Sequence, residues 1–224
     1  MPAIFITGTG TEIGKTFVAA GLIGSLRRRG RYVAALKPVI SGFDAHASAD
    51  SDPALLLKAL GREPSAVAIA AIAPWRFAAA LSPDMAAARE RKPIDFAALV
   101  GFCRLAIAAA EDVVVIEGIG GLMVPFDAQS TVLDLIEALR IPIILVAGTY
   151  LGTLSHVLTA SEVATNRGLD MAALVLNETP GSPVPIEAIH ASLTNFFGEV
   201  PIITLTRGSA DNAAAFEALA DLLP

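Results

Sequence analysis

A short apolar run at residues 3–6 leads into Thr7-Gly8-Thr9-Gly10-Thr11-Glu12-Ile13-Gly14-Lys15-Thr16, and a helix-forming stretch follows at once. Strand, glycine-rich turn, Gly-Lys-Thr and helix start, in that order, describe a phosphate-binding loop. The physical basis is the helix N-terminus, whose unpaired N–H groups and partial positive charge attract anions. Glycine lets the backbone approach phosphate oxygens; Lys15 suits the β and γ oxygens, and the Thr16 hydroxyl suits Mg²⁺. The spacing departs from the common form: the first glycine is expected at position 9, which is Thr9, and Gly8 comes one residue early. The loop points to nucleotide binding without naming a reaction.

The rest of the chain agrees with such a loop. Strand-like runs at 3–6, 32–36, 113–116, 141–147, 172–176 and 200–205 alternate with helical patterns. The helices are expected at 15–29, 52–60, 95–110, 132–139, 153–167, 185–197 and 210–222. Several strands are apolar on consecutive residues, as in strands covered on both faces. The expected fold class is α/β: a mainly parallel sheet with helices on both faces, like that of the P-loop NTPases. No linker divides the 224 residues, so one domain over 1–224 is expected. The stretches at 41–51 and 74–93 read as irregular, and such segments are often substrate loops.

Composition then excludes whole classes of function. With 54% hydrophobic and 17% charged residues, the chain can bury a core and is not disordered. A net charge of −6 leaves no footprint for nucleic acid or anionic lipid. The longest apolar stretches, near 66–75 and 141–148, fall short of the roughly 18 residues of a membrane span. With no basic leader or cleavage site at the N-terminus, a cytoplasmic protein is expected. Cys103 is the only cysteine, which rules out an internal disulfide. The basic run Arg27-Arg28-Arg29 closes a helix, where cations oppose the negative end of its dipole.

In an open parallel sheet, ligands bind beyond the carboxyl ends of the strands. The residues found there are Lys37-Pro38 and Ser41-Gly42, then Glu117-Gly118-Ile119-Gly120-Gly121, then Gly148-Thr149, and Asn177. Glu117 ends its strand as the acidic residue of a Walker B strand does, and reads as a Mg²⁺ ligand or as a cap on the glycine turn. Asp52 opens a helix, and its chemistry alone says ordinary N-cap. Lys37, after a buried strand and before proline, reads as a lysine aimed into the site or as a solvated one.

These residues resemble a known family. Thr7-Gly8-Thr9-x-Thr11-Glu12-x-Gly14-Lys15-Thr16, Lys37-Pro38-x-x-Ser41-Gly42, Ser51-Asp52 and Glu117-Gly118-x-Gly120-Gly121 are similar to dethiobiotin synthetases. Pro74, Phe77, Ser82-Pro83, Leu151-Gly152, His156, Asn177 and Gly198-Glu199-Val200-Pro201 extend the similarity over almost the whole chain. The resemblance implies an ATP- and Mg²⁺-dependent closure of 7,8-diaminononanoate and CO₂ into the ureido ring of dethiobiotin. It implies that Glu12, Ile13, Gly14, Lys15, Thr16 and Phe17 hold the phosphates and that Lys15 and Lys37 act on carbamate and γ-phosphate. Thr16, Asp52 and Glu117 are then the Mg²⁺ ligands, with Gly118, Ile119 and Gly120 beside the nucleotide. Asn177 and Glu178 would meet the adenine, helped by the backbone at Pro201, Ile202 and Ile203. Thr11 and Ser41 would contact the diamine. A homodimer is implied, with Gly152, Thr153, Leu154 and Ser155 binding the substrate carboxylate from the neighbouring subunit.

The nearest rival is a partitioning or positioning ATPase with a similar deviant loop. Such ATPases carry an extra lysine early in the loop, and position 10 here is glycine. Their basic C-terminal membrane helix is likewise missing, since 210–222 carries Asp211, Glu217 and Asp221 but no lysine or arginine.

Overall fold

The structure, a computed structural model, describes residues 3–209 and 212–223. The expected start of the last helix, Ala210 and Asp211, lies outside the described residues. Six strands form one parallel sheet: β1 (Ala3–Gly8), β2 (Val33–Leu36), β5 (Val113–Glu117), β6 (Ile143–Gly148), β7 (Met171–Asn177) and β8 (Ile202–Leu205), in the order β2-β5-β1-β6-β7-β8. Each coincides within two residues with a run read from the sequence. The reason is burial on both faces, which makes β1, β5 and β6 apolar on successive residues.

Period-2 alternation still decides which face each residue serves. Leu145, Ala147, Leu174 and Leu176 pack with α7 (Thr153–Asn166) and α8 (Ile186–Phe197). Their neighbours Ile144, Val146, Ala173 and Val175 join the larger core on the other face. That core also takes up α1 (Lys15–Arg28), α2 (Asp52–Ala59), α5 (Phe96–Ala109), α6 (Val132–Leu139) and α9 (Asn212–Asp221).

The segment expected to be irregular at 74–93 is not. It holds β4 (Trp75–Arg76), which pairs in parallel with β3 (Val39–Ile40) in a small second sheet, and α4 (Pro83–Glu90). Pro83 starts α4 rather than breaking it, because a proline in the first turn lacks only an N–H that would have no helical partner anyway. The apolar stretch before it forms α3 (Ala66–Ile72), whose N-cap Ser65 accepts from the Ala68 amide. The stretch at 41–51 is irregular apart from a 3₁₀ turn at Ser48–Asp50.

β1 lies where the chain reverses its march across the sheet, with β5 on one side and β6 on the other. The loop after β1 therefore opens over the crevice in which ligands of such sheets bind.

Candidate active site

The phosphate loop bridges β1 and α1. Its last residue, Gly14, caps α1 in the left-handed region with φ 89°, and a Cβ there would stand 2.1 Å from Asn177 Nδ2. Only glycine meets both demands. Asn177, at the end of β7, donates through Nδ2 to the Ile13 carbonyl at 3.0 Å and ties the loop to the far side of the sheet. Lys15 folds over the loop and donates to the Gly10 carbonyl at 2.7 Å. Burial and the charge of nearby Lys37 lower its pKa to about 8.

Lys37 leaves β2 toward Glu117, the last residue of the neighbouring β5. Its ammonium donates to Glu117 Oε1 at 2.6 Å and to the Gly118 carbonyl at 2.8 Å, and it pairs with Asp52 Oδ2 at 3.1 Å. The Lys37 and Glu117 side chains are only 3% and 1% exposed. Burial alone would lower the Lys37 pKa, but Glu117 and Asp52 more than offset it and the net shift is upward. Burial raises the Glu117 carboxyl against the pull of Lys37. Asp52 is desolvated too, yet Lys37 and then Thr16 bring its pKa below the usual range. The expectation of a plain N-cap fails for Asp52, because Ser51 occupies the cap position and the Asp52 carboxylate turns to Lys37.

Thr16 donates to Glu117 Oε1 at 2.8 Å, while Glu117 Oε2 is buried without a partner among the described residues. A buried carboxylate oxygen left unpaired is costly unless something else binds it. The donors gathered here, a hydroxyl and two carboxylates, are hard oxygens of the kind Mg²⁺ takes alongside substrate phosphates. Among the described residues no three His, Cys, Asp or Glu cluster as a metal cage.

Eleven of the residues picked out in the sequence meet in one cavity of about 350 Å³. Thr11, Glu12, Gly14, Lys15 and Thr16 line it from the loop, Lys37, Ser41 and Asp52 from β2 and beyond, and Glu117, Ile119 and Gly120 from β5. Thr11 and Ser41 also border an adjoining cavity of about 490 Å³ with Ala80, Leu81, Ser82 and Pro83. On the other side of Glu12 and Gly14, Phe17, Asn177 and Glu178 line a cavity of about 360 Å³.

Two groups are not brought there. Ile202 is level with Leu174, and the Leu174 amide donates to Pro201 O at 3.0 Å. Pro201 thus precedes β8 and Ile202 and Ile203 form its amino-terminal half, whereas Asn177 is level with Leu205 at its carboxyl end. The residues that close the cavity beside Asn177 are Arg207 and Gly208, just past that end, with Thr179 and Pro180. Gly152, Thr153, Leu154 and Ser155 start α7 and line none of these three cavities. Thr153 is buried and its hydroxyl donates to the Gly148 carbonyl at 2.6 Å, so that hydroxyl is spent within the fold.

A protein-family model described as an AAA domain matches residues 2–209. The ATP-dependent dethiobiotin synthetase BioD of Methylobacterium nodulans is 46% identical over 213 residues, covering 93% of this chain and 94% of the relative. That of Acidiphilium cryptum is 48% identical over 202 residues, covering 90% and 91%.

The chain belongs to the dethiobiotin synthetase family.

It is an enzyme of that family, and the family's spread of identities runs along the whole chain: BioD of Caulobacter vibrioides matches at 41% over 100% of it. Solved structures support the fold alone. The septum site-determining protein MinD of Pyrococcus horikoshii, complexed with Mg-ADP, superposes with a TM-score of 0.59 at 18% identity, covering 98% of this chain and 94% of that one. Cobyrinic acid a,c-diamide synthase of Mycobacterium smegmatis, with bound ATP analog and magnesium, gives 0.57 at 15% identity, covering 99% and 93%. The phosphate loop here differs from the rival ATPase pattern at Gly10, whose carbonyl receives the chain's own Lys15.

Proposed function

We propose that the chain makes dethiobiotin from 7,8-diaminononanoate, CO₂ and ATP, and that the cavity beneath the phosphate loop is where the ring closes. The observation that carries this reading is the placement of Lys15 and Lys37 on one cavity, beside the unpaired oxygen of Glu117. The reaction must bring two anions together. One free amine of the substrate adds to CO₂ and loses a proton, giving a carbamate. A carbamate oxygen takes the γ-phosphoryl group of ATP, forming a carbamic–phosphoric anhydride and releasing ADP. The second amine attacks the anhydride carbonyl and gives up a proton, the new C–N bond closes the ring, and the C–O bond to phosphate breaks so that phosphate leaves.

Charge positioning suffices for these steps, without a covalent enzyme intermediate. Lys15 faces the β and γ oxygens, and Lys37, released from its carboxylates, faces carbamate and γ-phosphate together. Thr16, Asp52 and Glu117 would hold Mg²⁺, which when bound neutralises phosphate charge. Thr11 and Ser41, shared between two adjoining cavities, suit the diamine end. Asn177 offers its Oδ1 and the second hydrogen of its Nδ2 to the base, the first being donated to the Ile13 carbonyl.

The same reading includes a homodimer. The start of α7 presents Leu154 and Ser155 away from its own chain's cavity, with Leu151 88% exposed beside them. In a two-fold pair, that helix start would supply N–H groups to the substrate carboxylate bound by the partner. A cytoplasmic location, where ATP is made, belongs to the same proposal; no helix among the described residues is long and apolar enough to cross a membrane.

An ADP-release assay with diaminononanoate and bicarbonate, each omitted in turn, tests the reaction. ADP should appear only when both are present. Release at an equal rate without the diamine would rule out the ring-forming reading and favour a simple ATPase.

A further inference from the structure

Phe17, the third residue of α1, remains 48% exposed although an aromatic ring gains much from burial. The ring is nonetheless held. Phe216 of α9 meets it edge-on, with centroids 5.5 Å apart and planes at 69°. Phe216 is itself 8% exposed and fits over Gly21, one turn along α1 from Phe17; a Cβ at Gly21 would come within 2.1 Å of Phe216 Cζ. α9 is pinned to α1 through Glu217, which accepts from Ser25 at 2.6 Å, Arg29 at 2.7 Å and Arg28 at 3.0 Å. Phe17 also lines the cavity of about 360 Å³ beyond the phosphate loop, together with Asn177, Pro180 and Arg207. A half-exposed ring, braced from behind and facing a cavity at the outer end of the phosphate site, is a platform for a flat group.

We propose that Phe17 is the stacking wall for the base of the nucleotide, and that Phe216 is the positioning residue that holds its ring. The proposal rests on the nucleotide reading above and adds a side chain that recognises the base, where the loop recognises only phosphate. Stacking engages the face of a ring and not its edge, so Phe17 favours a base over none without choosing among bases.

Calorimetry with two probes in the presence of Mg²⁺, a non-hydrolysable ATP analogue and inorganic tripolyphosphate, separates the base from the phosphates. Phe17→Ala and Phe17→Leu should bind the analogue about tenfold more weakly. Phe17→Trp should bind it at least as well as the unaltered chain, and all three should bind tripolyphosphate unchanged, because residue 17 in the first turn of α1 meets phosphate through its backbone N–H and not through its ring. Phe216→Ala should loosen the analogue by about threefold, again with tripolyphosphate unchanged, a split that general loss of structure would not give. Full analogue affinity in Phe17→Leu would overturn the stacking role while leaving the phosphate loop intact. Equal loss of both probes in Phe17→Leu and Phe17→Trp would overturn it as well, because Phe17 would then be shaping the loop. If the unaltered chain bound neither probe, the nucleotide reading would fall and take the stacking role with it.

Discussion

The two ends of α1 carry ionic clusters, each setting basic side chains against one Glu and one Asp, and put to different uses. At the C-terminal end, Arg28 and Arg29 meet Glu217 and Asp221 of α9 with side chains between 33% and 70% exposed. Both Glu217 oxygens accept hydrogen bonds, and the arginines also oppose the helix dipole. At the N-terminal end, Lys37 and Glu117 lie out of water beside buried Lys15 and half-buried Thr16, Asp52 closes the group with its side chain 40% exposed, and one Glu117 oxygen has no partner among the described residues. Taking charges out of water costs several kcal/mol per ion, which their mutual attraction often fails to offset. The exposed cluster is a satisfied clamp between helices. The buried one is a poor way to stabilise a fold and a good way to receive an anion and a cation together.

That contrast breaks most visibly at Lys37. Lys37→Ala should abolish turnover while ATP affinity stays within a few-fold, because the residue acts on the reacting groups rather than on the whole nucleotide. It should also lower stability by about 3–5 kcal/mol, since Glu117 would keep a buried charge without its partner. Steady-state ADP release, calorimetry and urea unfolding read the three effects, and near-normal turnover would remove Lys37 from the chemistry.

Lys15→Ala should weaken ATP binding and turnover together. Since the Lys15 pKa is lowered to about 8 in the free chain, raising pH above 8 removes its charge. ATP affinity of the unaltered chain should then fall by up to about tenfold per pH unit. Lys15→Ala should lack that dependence, and a pH-independent affinity in the unaltered chain would contradict the assignment.

A smaller recovery experiment tests whether the buried cluster is completed by a second copy. Mixed dimers of Lys37→Ala chains with Ser155→Asp chains should regain up to about a quarter of full activity, since half the dimers are mixed and each has one intact site. No recovery in dimers shown to be mixed would argue for a site within one chain.

The smallest effect belongs to the exposed clamp. Hydrogen bonds from Ser25, Arg29 and Arg28 lower the Glu217 pKa from 4.5 to about 2. A depressed carboxyl contributes its stability in full above the unfolded value and loses it as pH falls through the folded one. Glu217→Gln should therefore lower Tm slightly at neutral pH, and the gap from the unaltered chain should close between pH 4.5 and 2. Added salt should narrow it too. A gap that persisted at pH 2 would show that packing, not charge, accounts for it.

How far these features could be read in the sequence depended on what kind of signal each left. The strands were legible because burial on two faces writes an unbroken branched-aliphatic run, and 113–116 needed only Glu117 to complete β5. The phosphate loop was legible because its glycines and lysine obey local backbone constraints. α4 was not, since 74–93 reads as irregular although its Ser82-Pro83 has the chemistry of a helix start. Asp52 shows the limit of local reasoning: nothing near it in the sequence points to Lys37, 15 residues before it, and the resemblance alone carried that expectation. Pro201, Ile202 and Ile203, which the resemblance implies beside the adenine, lie on the amino-terminal side of β8, whereas a strand ending at Leu205 puts the ligand edge at Thr206 and beyond. Arg207 and Gly208 could have been found by that rule. Register across the sheet, which the sequence does not write down, decided the matter.

The most direct test of the buried cluster is a crystal structure of the unaltered chain with Mg²⁺ and a non-hydrolysable ATP analogue. The account predicts that the ammonium groups of Lys15 and Lys37 both lie within hydrogen-bond distance of the γ-phosphate oxygens, with Lys37 drawn off Glu117 Oε1. A Lys37 still bound to Glu117, Gly118 and Asp52 and out of reach of the phosphate would contradict it.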